Sequence, residues 1–144
     1  MGDLHEPFCL PGYKEHCVDV YNAYDCNTVV FLGDIIDSHF SSFHTADPDG
    51  YGAGEELDRA IDRIQEWYKL FNNKTVPNGI SVCIGNHDAI VRRKSFEAGI
   101  SKKWVRDYNE VLLSLSSDTS LSLTHLETTL IWIRFDLDKE EDDD

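Results

Sequence analysis

The sequence predicts an α/β fold built on a mostly parallel sheet. Two short runs, 28–32 and 80–84, are rich in β-branched and apolar residues and are each followed by a glycine, as is typical of strands buried on both faces. A long amphipathic helix is predicted between them, over 55–71. Strand, helix and strand in this order indicate neighbouring parallel strands joined by a helical crossover. Such sheets bind ligands beyond the carboxyl ends of their strands, so we expect the functional residues directly after the two runs.

The elements before the long helix follow from local patterns. Apolar and aromatic side chains recur at helical spacing over 12–25, which predicts the first helix. The first strand follows at 28–32, and its apolar run ends at Gly33. Residues 38–54 contain three glycines and a proline, and we predict a loop there.

The helix predicted over 55–71 has one continuous apolar stripe and three acids in its first turn, where the helix dipole favours negative charge. The stripe consists of Leu57, Ala60, Ile61, Ile64, Trp67, Tyr68 and Phe71, and the acids are Glu55, Glu56 and Asp58. After the second strand at 80–84, further helices are predicted over 89–97 and 101–113, the latter with Ser101 as its N-cap.

The character of the chain changes after residue 113. We expect residues 1–113 to form the α/β unit and 114–135 to be a divergent segment with β character. Residues 136–144 are mostly acidic and are predicted to form a disordered tail.

Composition excludes several classes of function. The chain has 27 acidic and 13 basic residues, a net charge of −14, which argues against a broad surface for nucleic-acid phosphates. No apolar run approaches the roughly 20 residues of a membrane span, and the N-terminus lacks the features of an export signal. The four cysteines contain no C-x-x-C pair, so we expect reduced thiols and a cytoplasmic location.

Three short motifs contain the residue types that bind metal ions. They are Gly2-Asp3-Leu4-His5, Gly33-Asp34-Ile35-Ile36-Asp37 and Gly85-Asn86-His87-Asp88, and the last two follow the predicted strands. Glycine lets the chain turn sharply and approach a ligand closely. In an extended segment Asp3 and His5 would point to the same side and could hold one ion together. The oxygen of an asparagine suits Mn²⁺, Fe or Zn²⁺ in a mixed nitrogen and oxygen site.

The order D-x-H, G-D-x-x-D and G-N-H-D resembles the calcineurin-like metallophosphoesterases, over residues 2 to about 113. The resemblance implies a partial version of that family's α/β sandwich. It also implies hydrolysis of phosphate monoesters or diesters at a dinuclear site, with a metal-bridging hydroxide as nucleophile. Mn²⁺ is the first choice for both ions, with Fe, Zn²⁺ and Ni²⁺ as alternatives. The partner would be a phosphorylated substrate, with nucleotides and nucleic acids included, and no membrane.

The resemblance further implies roles for individual residues. Asp3 and His5 would bind the first metal ion, Asp34 would bridge the two ions, and Asn86 would bind the second. The catalytic residues would be His87, as acid or transition-state stabiliser, and Asp88 beside it as its orienting partner.

Four further residues follow the motifs closely enough to support the ligands or contact substrate: Asp37, His39, Arg92 and Arg93. For Asp37 we favour support of the loop around Asp34 over direct contact with metal. His39 is predicted to be solvated, as is His44. Arg92 and Arg93 either attract an anionic substrate or form the solvated face of a helix, and the sequence favours neither.

The sequence departs from the family pattern at both ends. Only Met1 and Gly2 stand where the family's first strand would precede Asp3, and no glycine follows Gly99, so the closing G-H-x-H is absent. His125 is the one histidine after His87, and Ser38-His39 replaces the usual Arg-Gly, which argues against a protein-phosphatase subtype. An alternative function is therefore a truncated, inactive relative that acts as a binding protein or is an incomplete gene product.

Overall fold

The structure, a computed structural model, describes residues 1–42, 45, 47–72, 74–106 and 111. The elements in chain order are α1 (Tyr13–Ala23), β1 (Val29–Phe31), α2 (Ala53–Leu70), β2 (Ile80–Val82) and α3 (Ile90–Glu97). Single 3₁₀ turns lie at His39–Ser41 and Lys102–Trp104. β1 and β2 pair in parallel, with Val29 opposite Ile80. The predicted α/β class with a parallel sheet is confirmed. The first and last residues of these five elements lie within two residues of the predicted ones.

In the described part of the chain, one face of the sheet is fully buried and the other is not. The buried face consists of Val29, Phe31, Ile80 and Val82. The ring of Phe31 packs edge-on against Trp67 and Tyr68 of α2, with ring centroids 6.4 and 5.6 Å apart. On the other face Val30 is half-buried, and Leu32, just beyond β1, is 66% exposed. Within the described residues, the prediction of strands buried on both faces is therefore wrong for the second face, because α2 covers the first.

The stripe of α2 forms the centre of the core. Ala60, Ile64 and Trp67 are fully buried, and the indole Nε1 of Trp67 donates a hydrogen bond to the Glu6 carboxylate at 2.8 Å. Burial raises the pKa of the Glu6 carboxyl group, and the hydrogen bond from Trp67 acts in the opposite direction. Glu6 thus satisfies the polar end of the largest core side chain.

The first residues of the chain pair with the free edge of β1. The Met1 amine donates to the Val30 carbonyl at 2.9 Å, and the Leu32 N–H donates to the Met1 carbonyl at 2.7 Å. Neighbouring residues of a strand direct their peptide groups to opposite sides, so Met1 lies across β1 from β2. A parallel bridge between Glu6 and Ile36 continues this arrangement. Residues 1–6 therefore run beside 30–36 and carry Asp3 and His5 to the end of the sheet.

The prediction that a helix begins at Ser101 is wrong. The Ser101 hydroxyl does accept a hydrogen bond from the Lys103 N–H at 3.4 Å, but it caps only the turn at Lys102–Trp104, and the chain is extended again at Val105. The three residues of this turn are exposed, so no apolar stripe packs it against the core. Val111 is helical and buried.

The predictions for 114–135 and 136–144 lie outside the described residues, as do those for His44 and His125. In the part of the chain that the structure describes, no helix is long and apolar enough to cross a membrane.

Candidate metal centre

The three motifs meet at the carboxyl end of the sheet because two glycines let the backbones touch. A Cβ atom on Gly85 would overlap the backbone nitrogen of Asp34, and one on Gly33 would overlap the backbone of Gly85. Gly33 also has φ 101°, which side chains of L-residues rarely allow. The ends of β1 and β2 therefore approach more closely than any other residue type would permit.

Several motif residues have left-handed backbone conformations. Asp3, His5 and Asp34 have φ values of 54°, 48° and 50°, and Ser38 follows the second motif with 55°. Residues other than glycine adopt this conformation at a cost, and such residues concentrate at functional sites. The expectation that Asp3 and His5 belong to an extended segment is therefore wrong. Hydrogen bonds from their N–H groups to the carbonyls of Gly33 and Asp34, at 3.3 and 2.9 Å, hold them beside the second motif instead.

Asp3, His5 and Asp34 form a group that could hold a metal ion, with one ligand atom of each within 4.8 Å of the others. The Nδ1 atom of His5 lies 2.7 Å from the Asp37 carboxylate and donates to it. The Nε2 atom is consequently directed to the other side, 3.8 Å from the Asp3 carboxylate. A histidine bonded to a carboxylate through one nitrogen and open at the other is the usual arrangement of a metal ligand. Carboxylates and imidazole together suit the divalent ions expected from the sequence.

A second group of ligand atoms within 4.8 Å contains His5, Asp37 and His87. The Nδ1 atom of His87 lies 2.6 Å from the backbone carbonyl of Asp37, which can only accept, so this nitrogen carries the proton. The His5 and His87 rings meet edge to face, with centroids 4.6 Å apart. Asp37 thus contacts both histidines, and His39 as well, whose Nδ1 lies 3.6 Å from its carboxylate. These contacts are those of a supporting residue, the role that the sequence favours for Asp37, although its carboxylate also lies close enough to the two histidines to be a candidate ligand.

Asp88 joins the loops that follow the two strands. Its carboxylate accepts hydrogen bonds from the backbone N–H groups of Ile35, Ile36 and Gly85, at 2.9 to 3.0 Å. Burial raises the pKa of the Asp88 carboxyl group, and these amides act against that shift. The bond that orients the His87 ring comes from Asp37, so the contacts of Asp88 are those of a residue that holds the two loops together.

Asp34 also links the second and third motifs. One of its carboxylate oxygens accepts the His87 N–H at 2.8 Å. Asn86, next to His87, is exposed at the start of the turn after β2. The remaining candidates lie on α3: Arg92 is half-buried with its guanidinium carbon 5.7 Å from the Phe96 ring, and Arg93 is exposed.

Glu56 has a role in this region that the sequence did not indicate. It lies in the first turn of the long helix, as the sequence predicts, but it is only 2% exposed and its carboxylate accepts the N–H groups of His39 and Phe40 at 2.7 and 3.2 Å. Its spacing from Ala60 and Ile64 indicates its burial, though not its partners, since residues four apart share one face of a helix. Glu56 therefore fixes the turn directly after Asp37.

The family model described as calcineurin-like phosphoesterase matches residues 1–143. No curated protein and no solved structure matches the chain. The matched range includes all three motifs and the parallel strands that position them. The chain belongs to the calcineurin-like phosphoesterase family.

Proposed function

We propose that this protein hydrolyses phosphate esters with divalent metal ions, and that the group Asp3, His5 and Asp34 holds the first ion. The observation that supports this best is the hydrogen bonding of His5. Its Nδ1 is bonded to Asp37, so its Nε2 is the nitrogen that can bind a metal ion together with the carboxylates of Asp3 and Asp34. The family to which the chain belongs supplies the reaction class, metal-dependent cleavage of a phosphate ester.

We further propose a second ion between Asp34 and Asn86, with Mn²⁺ as the first choice for both. When bound, the two ions would polarise the phosphate and make a water molecule nucleophilic at neutral pH. His87 would donate a proton from Nε2 to the departing alcohol when its ring is protonated. The Asp37 carbonyl, 2.6 Å from Nδ1, would hold the ring in the orientation for that transfer.

A second candidate function is metal binding without turnover. It is favoured by the overlap of the two candidate groups, since His5 belongs to both. If His5 serves the first ion, the group of His5, Asp37 and His87 is not a separate second site, and the second ion keeps only Asp34 and Asn86 among the described residues. Each missing ligand lowers metal affinity. On this alternative the chain is an inactive relative whose metal site serves binding or structure.

Hydrolysis assays distinguish these functions. We expect the full chain to hydrolyse a phosphate diester or monoester, such as bis(p-nitrophenyl) phosphate or p-nitrophenyl phosphate, when Mn²⁺ is added and to stop when the metal is chelated. Asp34→Asn should lower kcat by about 100-fold or more, because it weakens a ligand with almost no change of shape.

Asp62→Asn is the matched control, since Asp62 is an exposed carboxylate on α2. It should retain wild-type rates. Equal rates in wild type and Asp34→Asn would contradict the proposed catalytic site. Saturable Mn²⁺ binding with no turnover of either ester would favour the inactive relative instead.

A further inference from the structure

A row of aromatic rings leads outward from the candidate metal centre. His39 lies beside the Asp37 carboxylate and meets the Phe8 ring edge-on, with centroids 6.0 Å apart. Phe8 in turn stacks on Tyr51 at 6.0 Å, with 19° between the ring planes. We call His39, Phe8 and Tyr51 the aromatic shelf. Its inner end touches a residue of the metal centre, so the shelf and the centre are continuous.

The shelf is exposed although it is largely apolar. Phe8 is 49% and Tyr51 42% exposed, and they come from separate segments, the loop after His5 and the loop before α2. Single exposed aromatic residues are common on protein surfaces. Contiguous exposed rings beside a cluster of polar ligands are instead typical of a binding site, where apolar walls accompany a few convergent polar groups.

Hydrogen bonds and ion pairs hold the shelf in place. The buried carboxylate of Glu56 fixes the backbone of His39, and the Phe8 N–H donates to the His5 carbonyl at 2.7 Å. The guanidinium carbon of Arg59 lies 4.3 Å from the Tyr51 ring centroid, and Arg59 is itself paired with Glu55. A surface that is already ordered loses little conformational entropy when a ligand binds.

We propose that the aromatic shelf binds a planar aromatic ring of the substrate while the phosphate of the same molecule lies at the metal centre. This rests on the proposed function, because the metal centre supplies the site for the phosphate. The substrate class is then phosphate esters that carry a flat aromatic ring, a chemistry shared by nucleobases and simple aryl groups. Aliphatic phosphate esters of the same size would bind less tightly, since they cannot stack on Phe8 and Tyr51.

Binding of phosphonates that cannot be hydrolysed tests the shelf independently of turnover. Calorimetry with Mn²⁺ present would compare benzylphosphonate with cyclohexylmethylphosphonate, which has the same number of heavy atoms but no aromatic ring. We expect wild type to bind the benzyl compound about tenfold more tightly, which is within the range of stacking contributions. Phe8→Leu and Tyr51→Leu should each reduce this ratio, and the double variant should bring it close to one.

Tyr24→Leu is the control, because Tyr24 is 78% exposed at the end of α1 and is not part of the shelf. It should keep the wild-type ratio. A second pair of ligands distinguishes nucleobases from simple aryl groups as the source of the ring. The pair is adenosine 5′-monophosphate and ribose 5-phosphate, measured in the presence of Ca²⁺. A larger preference within this pair assigns the shelf to nucleobases, and a larger preference for benzyl assigns it to simple aryl groups.

The proposal is overturned if wild type binds both phosphonates equally, or if the preference persists in the double variant. Its failure differs from that of the proposed function. Metal-dependent hydrolysis without any aromatic preference would contradict the shelf alone. A preference lost in the double variant, without hydrolysis of any ester, would support the shelf and contradict catalysis.

Discussion

At the scale of single residues, the candidate metal centre depends most on His5, which belongs to both groups of possible ligands. A D-x-H pattern by itself has little predictive value, and the expected extended geometry around it is not observed. The carboxylate of Asp37, 32 residues away in the sequence, sets the orientation of the His5 ring. This contact could not be derived from local spacing, because it depends on residues 1–6 running alongside 30–36.

Gly85 is the residue at which a small change should disturb the centre most. An alanine Cβ there would overlap the Asp34 backbone and carboxylate, so one of the two loops must move. We expect Gly85→Ala to lower the free energy of unfolding by about 1–3 kcal/mol, as overpacking does. Urea denaturation monitored by tryptophan fluorescence would measure this loss.

Gly54→Ala provides the contrasting control. Gly54 lies in the first turn of α2 with nothing within 4 Å of an added Cβ, so alanine should leave stability unchanged or raise it by up to about 1 kcal/mol. Similar losses of stability in both variants would show that the close approach of the two strand ends is not what requires glycine at 85.

At the scale of elements, α2 connects the core with the site. Its apolar stripe could be predicted from the sequence, because apolar residues that recur every 3.6 residues share one face of a helix. Ala60, Ile64 and Trp67 lie on that face and are fully buried. The role of Glu56 could not be predicted in the same way, since its partners are backbone amides of a turn that no sequence pattern indicated. An acid in a first turn ordinarily suggests only a favourable interaction with the helix dipole.

We expect Glu56→Ala to lower the free energy of unfolding by about 1–3 kcal/mol, because it leaves the His39 and Phe40 amides without their acceptor. Hydrogen exchange at these two amides should accelerate as the turn loosens. Urea denaturation and exchange measurements on the same samples would test both effects.

Glu55→Ala is the neighbouring control. Glu55 is exposed and pairs with Arg59 across one helical turn, an interaction that contributes about 0.3–0.5 kcal/mol. If Glu55→Ala and Glu56→Ala had equal effects on stability and exchange, Glu56 would not be the residue that fixes the turn.

At the scale of the whole molecule, the sequence predicted the class of fold and the order of its elements well. Buried strands and an amphipathic helix have characteristic periods, and motifs placed after strands meet at one edge of a parallel sheet. The pairing of Met1 with β1 was not predicted, because a contact of one residue leaves no periodic pattern. The turn at Lys102–Trp104 shows the converse, since a good N-cap at Ser101 did not suffice for a helix without apolar packing.

The net charge of −14 is also relevant to the metal centre at this scale. Asp3, Asp34, Asp37 and Asp88 lie in or beside one small region. Divalent ions bound there would offset the repulsion among these carboxylates. Ions that bind only the folded chain would also stabilise it by mass action.

Calorimetric titration of the full chain with Mn²⁺ tests most directly whether these residues form a metal centre. We predict saturable binding in wild type and in His16→Ala, a control on the exposed side of α1. His5→Ala should weaken that binding by about tenfold to 100-fold, because it removes the histidine shared by both candidate groups. Equal Mn²⁺ binding by all three proteins would contradict a metal centre built on His5.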